Sequence, residues 1–416
     1  MSSPSIPTVA TPRARSPRSR HRRAPAVLCA LLLSLTAGCA DFSSEASTFT
    51  VQPSLTARAA IPDETSPGSP FSSSPPSTPS GSLPSSPPAS GSGAPADPCA
   101  PTDAAVIATC LSAPWGLVPM ADGSSALVGE RMTGRLLQVA KGVAPVLVTR
   151  FEGVDGTGDG GLLGIALSPS YDEDGLVYAY VTTAKDNRIV RFAKGDVAKP
   201  IFTGIPKGAT HNGGRIAFGA DRTLYVGTGD TGRPAAAANP ASLAGKVLRL
   251  DEFGKPAKKN PVPGSPIFAS GFTQVSGMCP MDDGTVAALD RRPGEDLLLP
   301  LQAGKNYAKP AAGTALWTWT AADGGAADCA VTNGLLANTS LDKQQLTTVQ
   351  MGTGGTFTGV PAVLLDNRYG RLLTVAADRK GLLWLTTSNK DGKGTPVPSD
   401  DRVIVVPSGG SGGGPD

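Results

Sequence analysis

The chain has 416 residues, of which 17% are charged and 40% are hydrophobic, with 51 glycines and 39 prolines. Its formal net charge is +3, but the first 38 residues carry six arginines and no acidic residue, so the rest of the chain has a net charge of −3. The overall basicity is therefore no sign of a nucleic-acid-binding protein, and we expect no nucleic-acid partner.

An arginine-rich segment at the N-terminus precedes an uncharged apolar run from Ala24 to Ala37. This order is typical of a secretory signal peptide, and the run is shorter than the roughly 20 residues of a transmembrane helix. The letters LTAGC at 35–39 then form the pattern of a bacterial lipobox. We predict a signal peptide over 1–38 and a lipid on Cys39, which would anchor the protein to the extracytoplasmic face of the cell membrane. An ordinary signal peptide cleaved nearby and an uncleaved anchor stay open as alternatives.

Serine, proline, threonine and glycine dominate the segment that follows, from Ala40 to Pro98. Such a composition cannot bury enough apolar surface to offset the entropy lost on ordering, so we predict a disordered stalk over 39–98. A glycine-rich tail at 408–416 is expected to be disordered for the same reason. The intervening residues, 99–407, are numerous enough for one large domain with a sizeable core.

Six cysteines are present, of which Cys29 lies in the predicted signal peptide and Cys39 would carry the lipid. The remaining four are Cys99, Cys110, Cys279 and Cys329. An even number outside the cytoplasm favours disulfides, and no CxxC pair or histidine cluster indicates a metal site. Sequence alone allows three pairings. We expect the first of the four to pair with the second, where the domain begins, and the third with the fourth.

A similar unit recurs roughly every 45 to 60 residues along the predicted domain. Each copy is an apolar strand, a turn rich in aspartate and glycine, and one or two further strands. The six copies begin near Pro114, Gly161, Gly213, Ser276, Asp328 and Gly370. Since helical periodicity is almost absent, we predict an all-β fold, a six-bladed β-propeller. A pair of β-sandwiches is the alternative, which the regular period disfavours. Propeller ligands usually lie in the central funnel, so the loops that open each unit are the place to look for function.

One histidine outside the N-terminal segment, His211, lies in the run HNGGR at 211–215. A short predicted strand at 224–227 follows, and Asp230 comes soon after it. Two strands paired by a turn could bring this carboxylate beside the imidazole, where it would hold the tautomer and raise the basicity of the ring. That arrangement suits a general base that takes a hydroxyl proton during hydride removal. A structural loop histidine is the alternative for His211, as a plain tight turn is for the run GDGG at 158–161.

Several runs, taken in chain order, resemble successive signatures of the glucose/sorbosone dehydrogenase family. They are PWGL at 114–117, GDGGLLG at 158–164, DNR at 186–188, the segments 211–219, 227–230 and 243–249, and the closing stretches 370–389 and 400–403. The resemblance covers nearly the whole predicted domain. It implies a six-bladed propeller that oxidises aldoses with pyrroloquinoline quinone (PQQ), which is held in the funnel beside calcium.

The resemblance also implies roles for individual side chains. His211 falls on the family's catalytic base, and Asp230 on the acid that orients it. Asp159 takes the place of a glutamine or glutamate near the quinone, and Arg371 that of an arginine on the cofactor's carboxylates. Gln274 stands where the family has an asparagine that contacts the quinone.

Other positions depart from the family pattern. Thr273 replaces an arginine that contacts the quinone, and Leu373 occupies the second position of an Arg-x-Arg pair. Asp342 lies where a cation is expected, and Arg292-Pro293 replaces a Gly-Pro that lends carbonyl groups to calcium. PQQ carries three carboxylates, and burying them needs paired cations. These departures therefore predict a partly degraded cofactor site.

The departures, the lipobox and stalk, the four cysteines, GIPKGA at 204–209 and WTW at 317–319 resemble a branch of actinobacterial lipoproteins called LppZ-like. Two hypotheses of function follow. The first is a PQQ-dependent sugar or alcohol dehydrogenase. The second is a non-catalytic propeller that binds a glycan, a small ligand or a protein at the cell surface. Under either hypothesis we expect a monomer, with a sugar or a cell-envelope glycan as the possible ligand.

Overall fold

The structure, a computed structural model, describes residues 97–352 and 355–409. Within these ranges the chain is almost entirely β-structure, with two helices of one turn and a single 3-10 turn. No helix there is long and apolar enough to cross a membrane. The predicted signal peptide over 1–38, the lipid on Cys39, nearly all of the predicted stalk and most of the predicted tail lie outside the described residues.

The strands form six four-stranded antiparallel sheets, which we call blades 1 to 6 in chain order. Blade 1 contains β2 (Pro114–Pro119), β3 (Ser125–Glu130), β4 (Arg135–Ala140) and β5 (Val143–Arg150), and blade 2 contains β6 (Leu162–Leu167), β7 (Leu176–Thr182), β8 (Asn187–Ala193) and β9 (Lys199–Ile205). Blade 3 contains β10 (Gly213–Phe218), β11 (Leu224–Thr228), β12 (Lys246–Leu250) and β13 (Ile267–Ser270), and blade 4 contains β14 (Gln274–Pro280), β15 (Val286–Arg291), β16 (Glu295–Pro300) and β17 (Trp317–Thr320).

Blade 5 contains β18 (Asp328–Thr332), β19 (Leu335–Ser340), β20 (Gln345–Met351) and β21 (Phe357–Asp366). Blade 6 contains β22 (Leu372–Ala377), β23 (Leu382–Thr387), β24 (Val403–Pro407) and, from the start of the domain, β1 (Val106–Ala108). The helices are α1 (Tyr171–Asp174) and α2 (Pro234–Ala238), and the 3-10 turn is Ala321–Asp323.

The blades close into a ring. Their first strands, β2, β6, β10, β14, β18 and β22, contact one another in this order, and β22 contacts β2. Strand β1 pairs with β24, so the N-terminal end of the domain supplies the outer strand of the last blade. The predicted six-bladed propeller is confirmed, and each blade begins within two residues of its predicted unit. The alternative of paired β-sandwiches is wrong.

The core lies between neighbouring blades, and the alternation of side chains along each strand explains why. On β7, Tyr178 and Tyr180 face one way and pack among apolar residues of blade 3. Val177, Ala179 and Val181 face the other way and pack among apolar residues of blade 1. Successive side chains of a strand point to opposite faces, so a strand between two blades is apolar at every position rather than at every second one.

Both predicted disulfides are confirmed. Cys99 pairs with Cys110 just before blade 1, with Cα atoms 5.6 Å apart. Cys279 on β14 pairs with Cys329 on β18, with Cα atoms 6.0 Å apart, and thus joins the first strands of blades 4 and 5. The second bond closes a loop of 50 residues and the first a loop of 11.

Replacing both Cys279 and Cys329 by alanine is expected to lower the free energy of unfolding by about 4 kcal/mol, because the bond restricts a long loop of the unfolded chain. The matched Cys99→Ala/Cys110→Ala variant lacks the bond that closes the shorter loop, and it is expected to lose about 1 kcal/mol less. Urea denaturation of the two double variants and the parent protein measures both values. A larger loss for the Cys99/Cys110 variant would contradict this ordering.

Candidate functional site

The structure brings His211 and Asp230 together at the mouth of the ring. His211 lies in the turn before β10, Asp230 lies beyond β11, and these strands pair with Gly213 opposite Thr228. The imidazole Nδ1 is 2.8 Å from Asp230 Oδ1. The carboxylate is 4% exposed and the imidazole is 34% exposed. The buried acid therefore orients the ring from behind and leaves Nε2 free to meet a substrate.

A second carboxylate holds the backbone of the same turn. Asp159 Oδ2 accepts a hydrogen bond of 2.7 Å from the amide of His211, and the amide of Asp159 donates to the carbonyl of Ala209. His211 has a φ of 55°, in the left-handed region that non-glycine residues seldom adopt. A Cβ on Gly229 would lie 1.9 Å from the carbonyl oxygen of His211, so only glycine fits there. This turn is thus held rigidly from both sides.

The GDGG run at 158–161 has more neighbours than an isolated tight turn would have. One guanidinium nitrogen of Arg131 donates to the carbonyls of Gly158 and Gly160, each at 2.8 Å. A Cβ on Gly158 would lie 2.0 Å from the carbonyl oxygen of Ala209. The run therefore packs directly against the turn that carries His211, and it places Asp159 beside the base.

A buried polar network supports the turn from below, and sequence reasoning did not find it. Asn212 is fully buried, and its amide nitrogen donates to the carbonyl of Gly208 at 2.8 Å. Its side-chain oxygen accepts from Asn187 at 3.0 Å, while the hydroxyl of Tyr180 donates to its backbone carbonyl at 2.9 Å. Two features of the sequence could have indicated it. Asn212 directly follows His211, and Asn187 lies in the DNR run at 186–188.

Two connected cavities lie at this end of the ring. The central cavity, about 360 Å³, is lined by residues that include Trp115, Arg131, Asp159, Arg215, Gln274 and Lys390. The His211 cavity, about 430 Å³, is lined by residues that include His211, Thr273, Arg291, Arg292, Asp296 and Lys393. Asp159, Gln274, Arg291 and Lys393 line both. Volumes of this size are ordinary for small-molecule sites.

Arg215 forms the floor of the central cavity and reaches across the ring. Its guanidinium carbon lies 3.9 Å from the centroid of the Trp115 ring, and Nε donates to the carbonyl of Ser276 at 2.6 Å. Nη2 donates to Thr374 Oγ1 at 2.9 Å and lies 3.1 Å from a carboxylate oxygen of Asp328. Burial raises the pKa of Asp328 to about 6 and lowers that of Arg215, while their mutual attraction opposes both shifts.

Below Arg215 lies a third, apolar cavity of about 400 Å³, lined by residues that include Leu117, Ile165, Phe218, Met278, Val331 and Val375. Arg215 lines this cavity as well as the central one. A single buried ion pair therefore lies between a polar funnel on the His211 side of the ring and an apolar channel on the other.

The other predicted cofactor residues are placed differently from one another. Asp159 and Gln274 line the central cavity. Arg371 is 6% exposed and does not line it. Its guanidinium is bound by Asp391 at 2.9 Å and by Asp342 at 3.0 Å. Asp391 does line the cavity, so Arg371 lies behind this carboxylate.

Cations that sequence reasoning missed line the funnel. Lys390 and Lys393 follow β23, just beyond the closing stretch of the family resemblance, and both are exposed. Within residues 97–352 and 355–409, neither ammonium group has a hydrogen-bond or ion-pair partner. Arg291 has only Asp296, at 4.0 Å. Loops of blades 4 and 6 thus supply positive charge at positions other than those of the expected family cations.

A buried ion pair lies under the two residues that stand in the expected quinone-contacting motif. Asp290 accepts from the amides of Thr273 and Gln274, at 2.9 and 2.8 Å. Arg292 Nε donates to the same carboxylate at 2.7 Å, and Nη2 donates to the carbonyl of Tyr307 at 2.7 Å.

In the described part of the chain, no group of three or more His, Cys, Asp and Glu side chains is arranged to hold a metal ion.

The free energy of unfolding is expected to carry a pH dependence from Asp290. Burial raises the pKa of this carboxyl from 3.8 to about 6 in the folded protein, so the folded state holds the proton more firmly than the unfolded state. This contribution favours folding below pH 4 and is lost as the pH rises through 6, a change of about 3 kcal/mol at 1.36 kcal/mol per pKa unit.

Asp290→Asn removes that titration, so the variant should gain stability relative to the parent protein as the pH rises from 4 to 7. Urea denaturation at several pH values measures the difference. Parallel stability curves for the two proteins would show that Asp290 has an ordinary pKa.

Comparison with known proteins gives the same family that the motifs indicate. The family model described as Glucose / Sorbosone dehydrogenase matches residues 111–321. The chain belongs to the glucose/sorbosone dehydrogenase family. Among solved structures of this family, the PQQ-bound aldose sugar dehydrogenase of Streptomyces coelicolor is 37% identical, with a TM-score of 0.68, over 72% of this chain and 95% of that one.

Two curated relatives carry dehydrogenase names. An aldose sugar dehydrogenase of Escherichia coli is 27% identical over 225 residues, which are 49% of this chain and 60% of that protein. Quinoprotein glucose dehydrogenase B of Acinetobacter calcoaceticus is 28% identical over 250 residues, which are 50% of this chain and 52% of that protein. The chain thus matches 60% and 52% of the lengths of these two curated relatives.

Proposed function

We propose that this propeller is a PQQ-dependent dehydrogenase that oxidises a hydroxyl group of a sugar. The observation that carries the proposal is the pair of His211 and Asp230, whose side chains meet at 2.8 Å beside an open cavity. PQQ is bound to the aldose sugar dehydrogenase of Streptomyces coelicolor, and here it would supply the hydride acceptor.

In this proposal His211 Nε2 takes the proton of the substrate hydroxyl as a hydride leaves the carbon that bears this hydroxyl. The Asp230 carboxylate, buried and bound to Nδ1, stabilises the imidazolium that results. Asp159 keeps the imidazole in place through its bond to the amide of His211. The carboxylate of Asp230 also accepts the amide of Gly232 at 2.7 Å, so its own position is held from a second direction.

The central cavity fits a flat, anionic cofactor. Trp115, with Arg215 stacked on its ring, offers a planar surface at the floor. Arg131 and Lys390 line this cavity and form no ion pair of 4 Å or less within the described residues, and they would hold carboxylates of PQQ. Burial lowers the pKa of Arg131, and the charges of Asp159 and Asp391 oppose that shift. Arg131 and Lys390 stand in for the expected cations that Thr273, Asp342 and Leu373 replace. Because the set is not the one expected for the family, we propose an altered and weaker PQQ site, with calcium as a cofactor to be tested.

A non-catalytic propeller that binds a surface glycan is the second candidate. It is favoured by the ion pairs of Arg371 with Asp342 and Asp391. Arg371 is the arginine of this chain that was expected to bind the cofactor's carboxylates, and these two acids already neutralise it. A binding propeller would need neither a free cofactor arginine nor a base. The retained pair of His211 and Asp230 favours the dehydrogenase.

The test is PQQ binding and dye reduction by the full chain, with and without calcium, across a panel of aldoses. We expect saturable quenching of tryptophan fluorescence by PQQ, together with turnover that His211→Ala abolishes. Absence of binding at high micromolar PQQ would contradict the dehydrogenase and favour the binding propeller. Turnover lost in His211→Ala would contradict the binding propeller.

We further propose that the protein is a lipoprotein of the LppZ-like branch, anchored through Cys39 on the extracytoplasmic face of the cell membrane. The lipobox at 35–39 and the composition of 39–98 support this. Metabolic labelling with a palmitate analogue should label the protein and not Cys39→Ser. Equal labelling of the two would mean that the lipid is not on this residue.

A further inference from the structure

Three cations line the His211 cavity, and two of them form no close ion pair within the described residues. Arg291, Arg292 and Lys393 line it, together with Asp159 and Asp296. Arg292 is already held by the buried carboxylate of Asp290. Lys393 has no side-chain partner among the residues that the structure describes, and Arg291 has only a contact of 4.0 Å with Asp296. Two positive charges on this side of the funnel are therefore available to a ligand.

The two acidic residues of the cavity are engaged by backbone amides instead. Asp296 is buried, and its two oxygens accept from the amides of Arg292 at 3.1 Å and Ala326 at 2.8 Å. One oxygen of Asp159 accepts from the amide of His211 at 2.7 Å. Neither carboxylate forms a close ion pair with Lys393 or Arg291. The positive charges of Lys393 and Arg291 therefore remain directed at the cavity.

Hydrogen-bonding groups also line this cavity. They are the imidazole of His211, Asp159, Thr273 and Gln274, which donate or accept hydrogen bonds as sugar hydroxyls require. An anionic group would be repelled by Asp159 and attracted by Lys393 and Arg291. A ligand that satisfies these groups thus carries both hydroxyl groups and a negative charge.

On the basis of the proposed dehydrogenase function, we infer that the preferred substrate is an anionic sugar, whose negative group binds Lys393 and Arg291 while a hydroxyl group faces His211. A guanidinium and an ammonium that line the same cavity suit a carboxylate or a phosphate, so uronic acids and sugar phosphates share the required chemistry. Oxidation converts the H–C–O–H group at His211 to C=O. The proton goes to His211 Nε2, the hydride goes to the bound quinone, and the anionic group is unchanged.

The first measurement is the specificity of the full-length, PQQ-loaded protein in dye reduction with glucose, glucuronate and glucose 6-phosphate. We expect kcat/KM to be at least about 10-fold higher for one or both anionic sugars than for glucose, and this preference should shrink as salt is raised from 20 to 500 mM, because salt screens exposed charges. Glucuronate and glucose 6-phosphate separate the carboxylate from the phosphate. Equal or lower kcat/KM for both anionic sugars would overturn the inference.

The second measurement uses Lys393→Gln and Arg291→Gln, with Lys199→Gln on the outer strand β9 as a matched loss of an exposed charge. Each of the first two should reduce the anionic preference about 10-fold, chiefly through KM for the anionic sugar, and should change the Kd for PQQ by less than this factor. Lys199→Gln should keep the preference. If Lys393→Gln and Arg291→Gln instead weaken PQQ binding and leave the preference intact, these cations serve the cofactor and the inference is wrong.

The third measurement separates this inference from the function on which it rests. Binding of 13C-labelled glucuronate and glucose to the PQQ-free protein is followed by NMR line broadening. We expect broadening of glucuronate that Lys393→Gln abolishes, with less broadening of glucose. This result would support the anion site even if PQQ failed to bind and the dehydrogenase proposal fell. PQQ binding together with equal broadening of both sugars would overturn the anion site alone.

Discussion

Replacing His211 by alanine is expected to lower kcat of the PQQ-loaded protein by about 10²- to 10⁴-fold, the usual contribution of a positioned general base. His211 is the one histidine in the described part of the chain, so no neighbouring imidazole there can replace it. Its side chain is 34% exposed and can therefore meet a substrate. The Kd for PQQ should stay nearly unchanged, because His211 does not line the central cavity. Steady-state dye reduction and PQQ titration measure the two quantities.

Asp230→Asn keeps the shape of the side chain and should also lower kcat, as His211→Ala does. An amide cannot stabilise the imidazolium that forms when His211 takes the proton. Thr210→Ala, which removes a hydroxyl next to His211 in the chain, is the matched control and should stay within about 3-fold of the parent. A His211→Ala variant with kcat near that of the parent would exclude His211 as the base.

Replacing Arg215 by methionine is expected to lower the free energy of unfolding by about 3–5 kcal/mol, because Asp328 would be left as a buried, unpaired carboxyl. The pair joins β10 to β18 across the ring, at 3.1 Å, with both side chains almost fully buried. The double variant Arg215→Met/Asp328→Leu removes both charges and should recover most of the loss. Urea denaturation of the two variants and the parent measures this.

An exposed ion pair of similar geometry is the control for this prediction. Arg368 and Asp103 meet at 2.8 Å, with the arginine side chain 60% exposed. Arg368→Met should cost no more than about 1 kcal/mol, because water solvates both partners after the pair is broken. Equal losses for Arg215→Met and Arg368→Met would mean that burial does not set the strength of the central pair.

Much of the architecture was predictable because it depends on local pattern. Short apolar strands, glycine-rich turns and a regular spacing recur six times, and each repeat must bury both faces against its neighbours. The contact of His211 with Asp230 was predictable for the same reason, since a single hairpin of β10 and β11 joins them. The even number of cysteines predicted disulfides, and the expected pair of Cys279 and Cys329 links two consecutive blades.

The parts that were missed are those that closure of the ring brings together. The three residues of β1 give no signal that they complete a sheet with β24, nearly 300 residues later. Lys390 and Lys393 lie outside every motif, yet a loop of blade 6 carries them to the funnel beside residues of blades 3 and 4.

What the sequence by itself determined, then, is the number of blades and the pair of His211 with Asp230, because each follows from residues within one or two consecutive repeats. Only the tertiary structure decided which charges reach the funnel. It pairs Arg371 with Asp342 and Asp391, and Arg215 with Asp328. It leaves Lys393 open to the cavity. The physical reason is that charge compensation depends on distances between different blades, and chain order along one strand says nothing about them.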